Sequence, residues 1–558
     1  MRFPSSSQWL YLLILLAVLM NGSGLFVTIL GPDGALYASI AKNMVIRSDW
    51  MQLFGEGREW LDKPHFPFWV TALSFRCFGF TTWAYKLPAL LFVYAGAAYT
   101  YLFAKKMYNR DTALWAVLIL LTAEHIVISN NDVRAEPYLT ALIVGSVYHF
   151  YRNLTEKKRI QLVLASLLAA CAVMTKGMMA LVPVGGAIAG ELIIKKKWSA
   201  LFNIRWLIAG ILIAIFITPE LYSLYYQFDA HPEKIVFGRT GVSGIRFFFW
   251  DSQFGRFFNT GPIKGKGDPF FFLHTTLWAF LPWSVLLYVA LVQFVRKGWR
   301  QPQQVEWYCI SGSMLLFLLF SASKFQLPHY LNIVFPFFAI LTAQYLLNIQ
   351  RQPVMRGIRI TQSVVVVLMA VGGIVLDHYW MVGYDEARNL ISAAIPQLLI
   401  FLAAFTATGA FRDKGLMPTL QRTALASILV NLYLNLVFYP KLLTYQSGSE
   451  AAFWINQHNP AKLPVVQLVS HQYAYALEFY LHQPLYTLDT LNNNHPAAPF
   501  LLYIYTPAKE ALLKKGWNLQ PVKPFDYYPV SKIKGAFLRY RTRETAISTY
   551  ELVLVQRR

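Results

Sequence analysis

Charge is scarce in this chain. Only 14% of its 558 residues are Asp, Glu, Lys or Arg, while 56% are hydrophobic and 16% aromatic. Soluble domains carry about a quarter charged residues, so this composition excludes an ordinary soluble globular protein and indicates an integral membrane chain. Acids are scarcer still, 28 Asp and Glu against 50 Lys and Arg, for a formal net charge of +22. In a soluble protein that excess would suggest nucleic acid. No soluble basic domain is present to bind it, and the basic cytoplasmic loops of a polytopic protein account for the charge. Cysteine is nearly absent: Cys77, Cys171 and Cys309 lie in or beside apolar segments without metal-ligand spacing, so they neither report a redox compartment nor build a site. No internal repeat or low-complexity tract is evident, which removes support for a repeat-built transporter.

What the chain has in abundance is long apolar runs. Stretches of about 20 residues, enough to cross a bilayer, recur near 9–30, 84–104, 112–129, 136–152, 160–175, 178–194, 204–225, 270–294, 305–321, 331–348, 360–377, 394–411 and 423–440. The expectation is an α-helical polytopic membrane protein of about thirteen transmembrane helices. The first run follows only Arg2 and has no A-x-A-like site, so it reads as an uncleaved span. With the N-terminus cytoplasmic, the even-numbered loops hold Lys105, Lys106 and Arg110; Arg152 and Lys157 to Arg159; Lys195 to Lys197; Arg296, Lys297 and Arg300; Arg351, Arg356 and Arg359; and Arg412 and Lys414. All are basic, as the positive-inside rule requires.

An odd number of spans puts everything after about residue 441 outside. There the pattern changes: "LPVVQLVS", "FLLYIYT" and "ELVLVQ" read as short buried strands between helical stretches at 472–481 and 507–515. The expected organisation is a membrane domain over 1–446 and a small α/β periplasmic domain over 447–558. Tail residues such as Tyr473 and Tyr475 form no chemical constellation in the sequence, so this domain is expected to shape acceptor access rather than to catalyse.

The outer loops, about 31–66, 130–136, 227–269 and 321–330, carry the residues that the topology rule does not explain. "GPDGALYASIAKNM" repeats apolar positions at helical spacing, predicting a helix along the membrane surface with Asp33 at its start, and an Asp there also serves as an N-cap. "EWLDKPHFPFW" sets Asp62, Lys63 and His65 among aromatics, with Pro64 ending the local helix. "NNDVRAEPYL" groups Asp132, Arg134 and Glu136 at the start of a span, where Pro137 suits the first turn and Glu136 complements the dipole. Basic residues follow on the same face at Lys176, Arg239, Arg246, Arg256 and Lys324. One such residue alone reads as an interfacial snorkeler. Five beside Gly, Pro or aromatics suggest an anionic ligand, and phosphate is the usual partner of Arg and Lys.

In their order and sidedness, "PDGALYASIAKNM", "DKPHFPFWVTALSFRCFG", "NDVRAEPYL", "TKG", "FGRFF", "LPWS" and "SASKFQLPHYLNIVFPFFAIL" resemble the GT-C superfamily of polyprenyl-phosphate-sugar-dependent glycosyltransferases, in particular the aminoarabinose–lipid A transferases and protein-mannosyltransferase-like (PMT_2 type) bacterial enzymes. The resemblance covers about residues 9–350. It implies a transferase in the bacterial inner membrane, acting as a monomer, that moves a sugar from a polyprenyl (undecaprenyl) phosphate donor to a lipid A, glycan or protein acceptor, with membrane lipids as its other partners. It carries the catalytic carboxylates onto Asp33 and Glu136, with Asp132 as the competing alignment for the second. The donor phosphate falls to Lys63, Arg256 and Lys324, and supporting or substrate contacts to Asp62, His65, Asp132, Arg134, Lys176, His329 and Tyr330. The chain departs from the family in having Gly34 where a second acid often follows the first-loop Asp, and Pro64-His65 where relatives often have Pro-Pro.

Chemically, an activated donor needs its leaving phosphate stabilised and an acceptor held behind the anomeric carbon, with Asp33 as general base for an attacking hydroxyl; for a phosphate acceptor no base is needed, and Asp33 would instead orient it or stabilise the oxocarbenium-like centre. That predicts inversion by single displacement. No cofactor is indicated, and His65, His274 and His329 have no recognisable metal spacing. A flippase for the same lipid-linked sugar is the rival reading. It calls for ionisable groups at mid-membrane depth, whereas here they cluster at one face.

Overall fold

A computed structural model of the protein describes residues 6–260, 264–381, 402, 415–469, 472–488 and 496–556. Helix α1 (Ser6–Ser23) ends in a 3-10 turn over Gly24–Phe26. That turn is held by a buried lysine, Lys86, whose ammonium donates to the carbonyls of Gly24 at 3.0 Å and Val27 at 2.7 Å. Gly24 has to be small, since a Cβ there would lie 2.6 Å from Asn131 Oδ1. The surface helix expected from "PDGALYASIAKNM" is α2 (Pro32–Arg47), which opens on Gly31 at φ +81° with Pro32 in its first turn. A tight hairpin unforeseen in the sequence follows, β1 (Phe54–Gly55) and β2 (Arg58–Glu59), with Glu56 and Gly57 both at positive φ as its two-residue turn demands. Pro64 does not end a helix: it lies in the loop before α3 (Phe66–Phe78), in whose first turn Pro67 sits.

The membrane core continues with α4 (Thr82–Met107), α5 (Arg110–Leu121), α6 (Glu124–Asn131), α7 (Glu136–Glu156) and α8 (Arg159–Lys176). Among the described residues, seven helices are long and apolar enough to cross a membrane, eight if the bent pair α5–α6 counts as one span. The thirteen expected runs thus divide differently. The run at 112–129 is bent by 51° between α5 and α6, where the Glu124 N–H leaves the helical ladder for the Leu281 carbonyl at 3.0 Å. The run at 270–294 splits into Phe271–Ala279 and Ser284–Arg300 around Pro282. Those at 178–194 and 305–321 form shorter helices, and the run at 394–411 lies outside the described residues. Helix α7 falls short on apolarity because it is buried among other helices, where Glu136, His149 and Asn153 find polar partners.

The tail folds as a five-stranded mixed sheet in the order β4-β3-β5-β7-β6. Strands β3 (Val465–Leu468), β5 (Phe500–Tyr505) and β7 (Ser548–Val555) are those read from the sequence. Edge strands β4 (Leu485–Leu488) and β6 (Leu519–Tyr527) are additions; β6 contains Pro521 and Pro524, tolerated at an edge where no further strand needs their N–H groups. Strand β3 runs parallel to β4 and β5, while β7 is antiparallel to β5 and β6. One continuous apolar core contains Leu13 and Phe68 together with Tyr503 and Leu552, so the sheet packs into the helical body.

Lysine again secures that junction. The buried Lys42 on α2 donates to the carbonyls of Glu478 at 3.1 Å, Phe479 at 2.9 Å and Leu481 at 2.7 Å, satisfying the C-terminal end of the helix Tyr475–Tyr480. Burial pushes the Lys42 ammonium down to about 8, opposed by the Glu478 carboxylate. Replacing Lys42 by Met keeps the stem and strands three carbonyls, and should destabilise the junction by about 2–4 kcal/mol. The expected readout is a lower apparent Tm and faster proteolytic release of the tail in detergent.

Candidate functional site

Three ionic clusters collect at the end of the helical body where α2 and the hairpin lie. The first is built on Asp62. Its Oδ2 accepts from Lys63 Nζ at 2.9 Å and its Oδ1 accepts from Arg256, so one carboxylate holds two cations. All three line a cavity of about 80 Å³ walled by Phe247, Phe248, Phe257 and Phe325. The Arg256 guanidinium stands 5.7 Å from the Phe325 ring, and its Nε–H is buried with no partner among the described residues. Burial alone would raise the Asp62 carboxyl, but the charges of Lys63 and Arg256 outweigh it and hold it below the usual carboxylate value. Lys63 is lowered, by burial first, with Asp62 opposing.

The second cluster forms the adjoining wall. Lys176, the last residue of α8, lines the cavity, is paired with Glu136 and sits 3.7 Å from the centroid of the Tyr330 ring. Glu136 is 2% exposed and does not line the cavity itself; His329 Nε2 approaches the same carboxylate at 3.8 Å. Gly177, at φ +84°, turns the chain away after Lys176 and leaves room for Gln253, whose amide donates to the Lys176 carbonyl at 3.3 Å.

The third cluster holds Asp33. It is not the N-cap of α2, since Gly31 occupies that position; instead its Oδ2 lies 2.7 Å from Arg134 Nη1. Arg134 also binds Asp132, at 3.0 Å through Nε and 2.8 Å through Nη2. The Asp132 carboxyl is pushed up by burial, against the pull of Arg134. Gly34 has a steric reason to be glycine, because a Cβ there would meet Ile29 at 3.0 Å and Asp132 Oδ1 at 3.2 Å. A second acid after Asp33 would not fit this packing. The Asp33 side chain keeps 48% exposure, by far the most open of the three acids in clusters one and three.

The expected residues therefore do not share one wall. Lys63, Asp62, Arg256, Lys176 and Tyr330 line a single cavity; Glu136 and His329 stand behind Lys176; Asp33, Asp132 and Arg134 form a separate ionic group. Lys324 is exposed and outside the cavity lining, although Ser323 and Phe325 on either side contribute to it. The Ser323 hydroxyl accepts within its own turn from Phe325 N at 3.2 Å, and Lys324 between them is not among the residues lining the wall. Arg239 and Arg246 are likewise exposed and outside the cavity. His65 is fully buried: its backbone N–H donates to Glu220 at 2.9 Å, Nδ1 lies 3.1 Å from the same carboxylate and Nε2 lies 3.2 Å from the Met51 carbonyl. It anchors the loop rather than facing a ligand. Sequence reasoning missed Glu220 and Gln253, which face the cavity, and Tyr37. Tyr37 follows Asp33 by one helical turn and packs edge-on against Trp60 and Phe68, and its hydroxyl is raised by burial first and then by the charges of Asp62 and Asp33. Its i+4 spacing from Asp33 was the available signal.

Residues 62–222 match the family described as dolichyl-phosphate-mannose-protein mannosyltransferase, PMT_2. Over nearly its whole length the chain superposes on the crystal structure of ArnT from Cupriavidus metallidurans bound to undecaprenyl phosphate, with a TM-score of 0.75, 17% identity and coverage of 99% of this chain and 98% of that one. The chain shares the fold of that structure. By sequence it is 28% identical over 321 residues to an uncharacterized protein of Aquifex aeolicus, and 27% identical over 321 residues to the undecaprenyl phosphate-alpha-4-amino-4-deoxy-L-arabinose arabinosyl transferase of Edwardsiella ictaluri. In each case the match covers 56% of this chain, and it spans 59% and 55% of the respective relatives. The resemblance read from the motifs is thereby borne out, and the family match begins at Asp62 itself.

The Asp62 clamp makes a pH prediction. Lys63 must be protonated to hold an anion, and its lowered value means that this charge is lost, as pH rises, below the ordinary lysine range. Asp62 opposes the lowering, so Asp62→Asn should move the loss to still lower pH. Inorganic phosphate binding, followed by ligand-induced thermal shift between neutral and alkaline pH, should show the weaker alkaline limb in the variant. An unchanged limb would separate Lys63 from anion binding.

Proposed function

We propose that the protein is an integral membrane glycosyltransferase that takes its sugar from a polyprenyl-phosphate donor at the outward, periplasmic face of the bacterial inner membrane, with its N-terminus in the cytoplasm. The observation that carries this reading is the cavity in which Lys63, Arg256 and Lys176 gather under aromatic walls, with the Arg256 Nε–H unpartnered. A buried unpaired guanidinium donor is costly unless a ligand completes it, and a phosphate accepts from Arg and Lys with the geometry such groups favour. The relative crystallised with undecaprenyl phosphate lends support by analogy of fold.

In the reaction so read, Lys63 and Arg256 bind the donor phosphate and take up charge as the bond between the anomeric carbon and the phosphate oxygen breaks, its electron pair leaving with polyprenyl phosphate. Asp62 keeps both cations aligned. Glu136 holds Lys176 rather than meeting the sugar, since it is sealed behind that residue. An acceptor hydroxyl attacks the opposite face of the anomeric carbon and its proton passes to Asp33, the exposed carboxylate oriented by Arg134. One displacement of this kind inverts the anomeric centre. The acceptor class, whether lipid A, another glycan or a protein, is decided by groups outside this cavity, and the tail beside α2 is positioned to contribute them.

Asp33→Asn should lower transfer by about 10²–10⁴-fold, the usual worth of a positioned general base, with undecaprenyl phosphate affinity nearly unchanged. Lys63→Ala and Arg256→Ala should instead lose that affinity. Mass spectrometry of envelope lipids and glycoproteins from cells with and without the gene supplies the cellular test. A sugar lost from one acceptor class supports the transferase, whereas unchanged donor accumulating on the inner leaflet would replace it with a flippase.

A further inference from the structure

Between the first turn of α2 and the tail sheet lies a second cavity, of about 180 Å³, whose chemistry differs from that of the first. Among the described residues, six of those lining it are tyrosines, and Lys532 at the rim is the one charged side chain. The rings form a platform rather than a loose belt. Tyr503 and Tyr550 stack at 4.9 Å with planes 13° apart, Tyr527 meets Tyr550 at 5.2 Å, and Tyr473 meets Tyr475 at 5.0 Å. Tyr550 is 4% exposed, yet its hydroxyl is buried without a partner among the described residues; both side-chain polar atoms of Gln446, which also lines the cavity, are in the same condition. Gly31, Pro32 and Ala35 of the α2 end complete the wall, so the cavity borders the turn that carries Asp33.

We infer that this tyrosine cavity binds the saccharide part of the acceptor, presenting a sugar hydroxyl toward Asp33. A sugar ring has an apolar C–H face suited to an aromatic surface and a rim of hydroxyls that both donate and accept. Such a rim satisfies the Tyr550 hydroxyl and the Gln446 amide together. A phosphate is disfavoured here because only Lys532 would meet it, and an alkyl chain would leave the three polar atoms unpaired. The two cavities thus divide the reaction: the cationic one for the donor phosphate and the neutral aromatic one for the acceptor sugar, whose wall at Pro32 adjoins Asp33. This inference rests on the glycosyltransferase reading and deepens it by naming the acceptor's chemical class.

The test uses the full chain in lipid nanodiscs, with saturation-transfer difference NMR against D-glucosamine, N-acetyl-D-glucosamine, D-galactose, a glucosamine disaccharide and a Ser/Thr-rich hexapeptide. Undecaprenyl phosphate binding is measured on the same samples. At least one saccharide should receive saturation, and Tyr550→Phe and Gln446→Leu should each weaken its binding about fivefold or more, as for loss of a buried hydrogen bond, while undecaprenyl phosphate still binds. The inference is overturned if no saccharide binds, if only the peptide binds, or if both variants match the wild type. Loss of both ligands by both variants also counts against it, since the residues would then be structural. Failure of the wild type to bind undecaprenyl phosphate would instead sink the glycosyltransferase reading itself.

Discussion

Asp62 divides its charge between two cations, one adjacent and one that the chain separates by 194 residues. Charges at this depth are tolerable only when paired, because the desolvation of an isolated ion near hydrocarbon is far larger than any single contact returns. The shared carboxylate solves that problem incompletely on purpose of geometry: it cancels one of two positive charges and leaves a net cation, with the Arg256 Nε–H still unmet. Much of the surrounding architecture serves to hold this arrangement. The hairpin and the His65–Glu220 contact anchor the loop that presents Asp62 and Lys63, and Gly177 and Gln253 set the wall carrying Lys176.

The same principle recurs away from this cavity. Lys86 and Lys42 are buried lysines that each satisfy backbone carbonyls at an irregular segment, one after α1 and one at the tail junction. A lysine stem spans apolar packing and delivers several donors at its end. These residues explain how a helical body and a mixed sheet share one core without stranding the polar groups at their seam.

Much of the site was legible in the primary structure. Asp62-Lys63 and Arg256 stood out because charges beside aromatics at a membrane face need a reason, and they do meet in one cavity. Lys324 and His65 showed the limit of that argument. Lys324 has the same chemistry as Lys63, yet a local turn at Ser323 leaves it outside the wall, and His65 is consumed by a buried contact to a residue, Glu220, that lay inside an apolar run. The tyrosines of the tail were visible one by one, but Tyr473 and Tyr503 come together only when the sheet forms. Likewise β6 was hidden by its prolines, which a sheet edge accepts and a central strand would not.

By itself the sequence determined the membrane class, the surface helix beginning at Pro32, three of the five tail strands among the described residues and the family that the motifs resemble. These depend on periodicity, composition and short contiguous motifs, all of which are local. Only the tertiary structure decided which charges are neighbours, which acid is exposed and which is sealed, and that Asp33 follows directly on the Pro32 wall of an aromatic cavity. The reason is physical: pairing and burial depend on separations in space between residues far apart along the chain, and packing alone sets those separations.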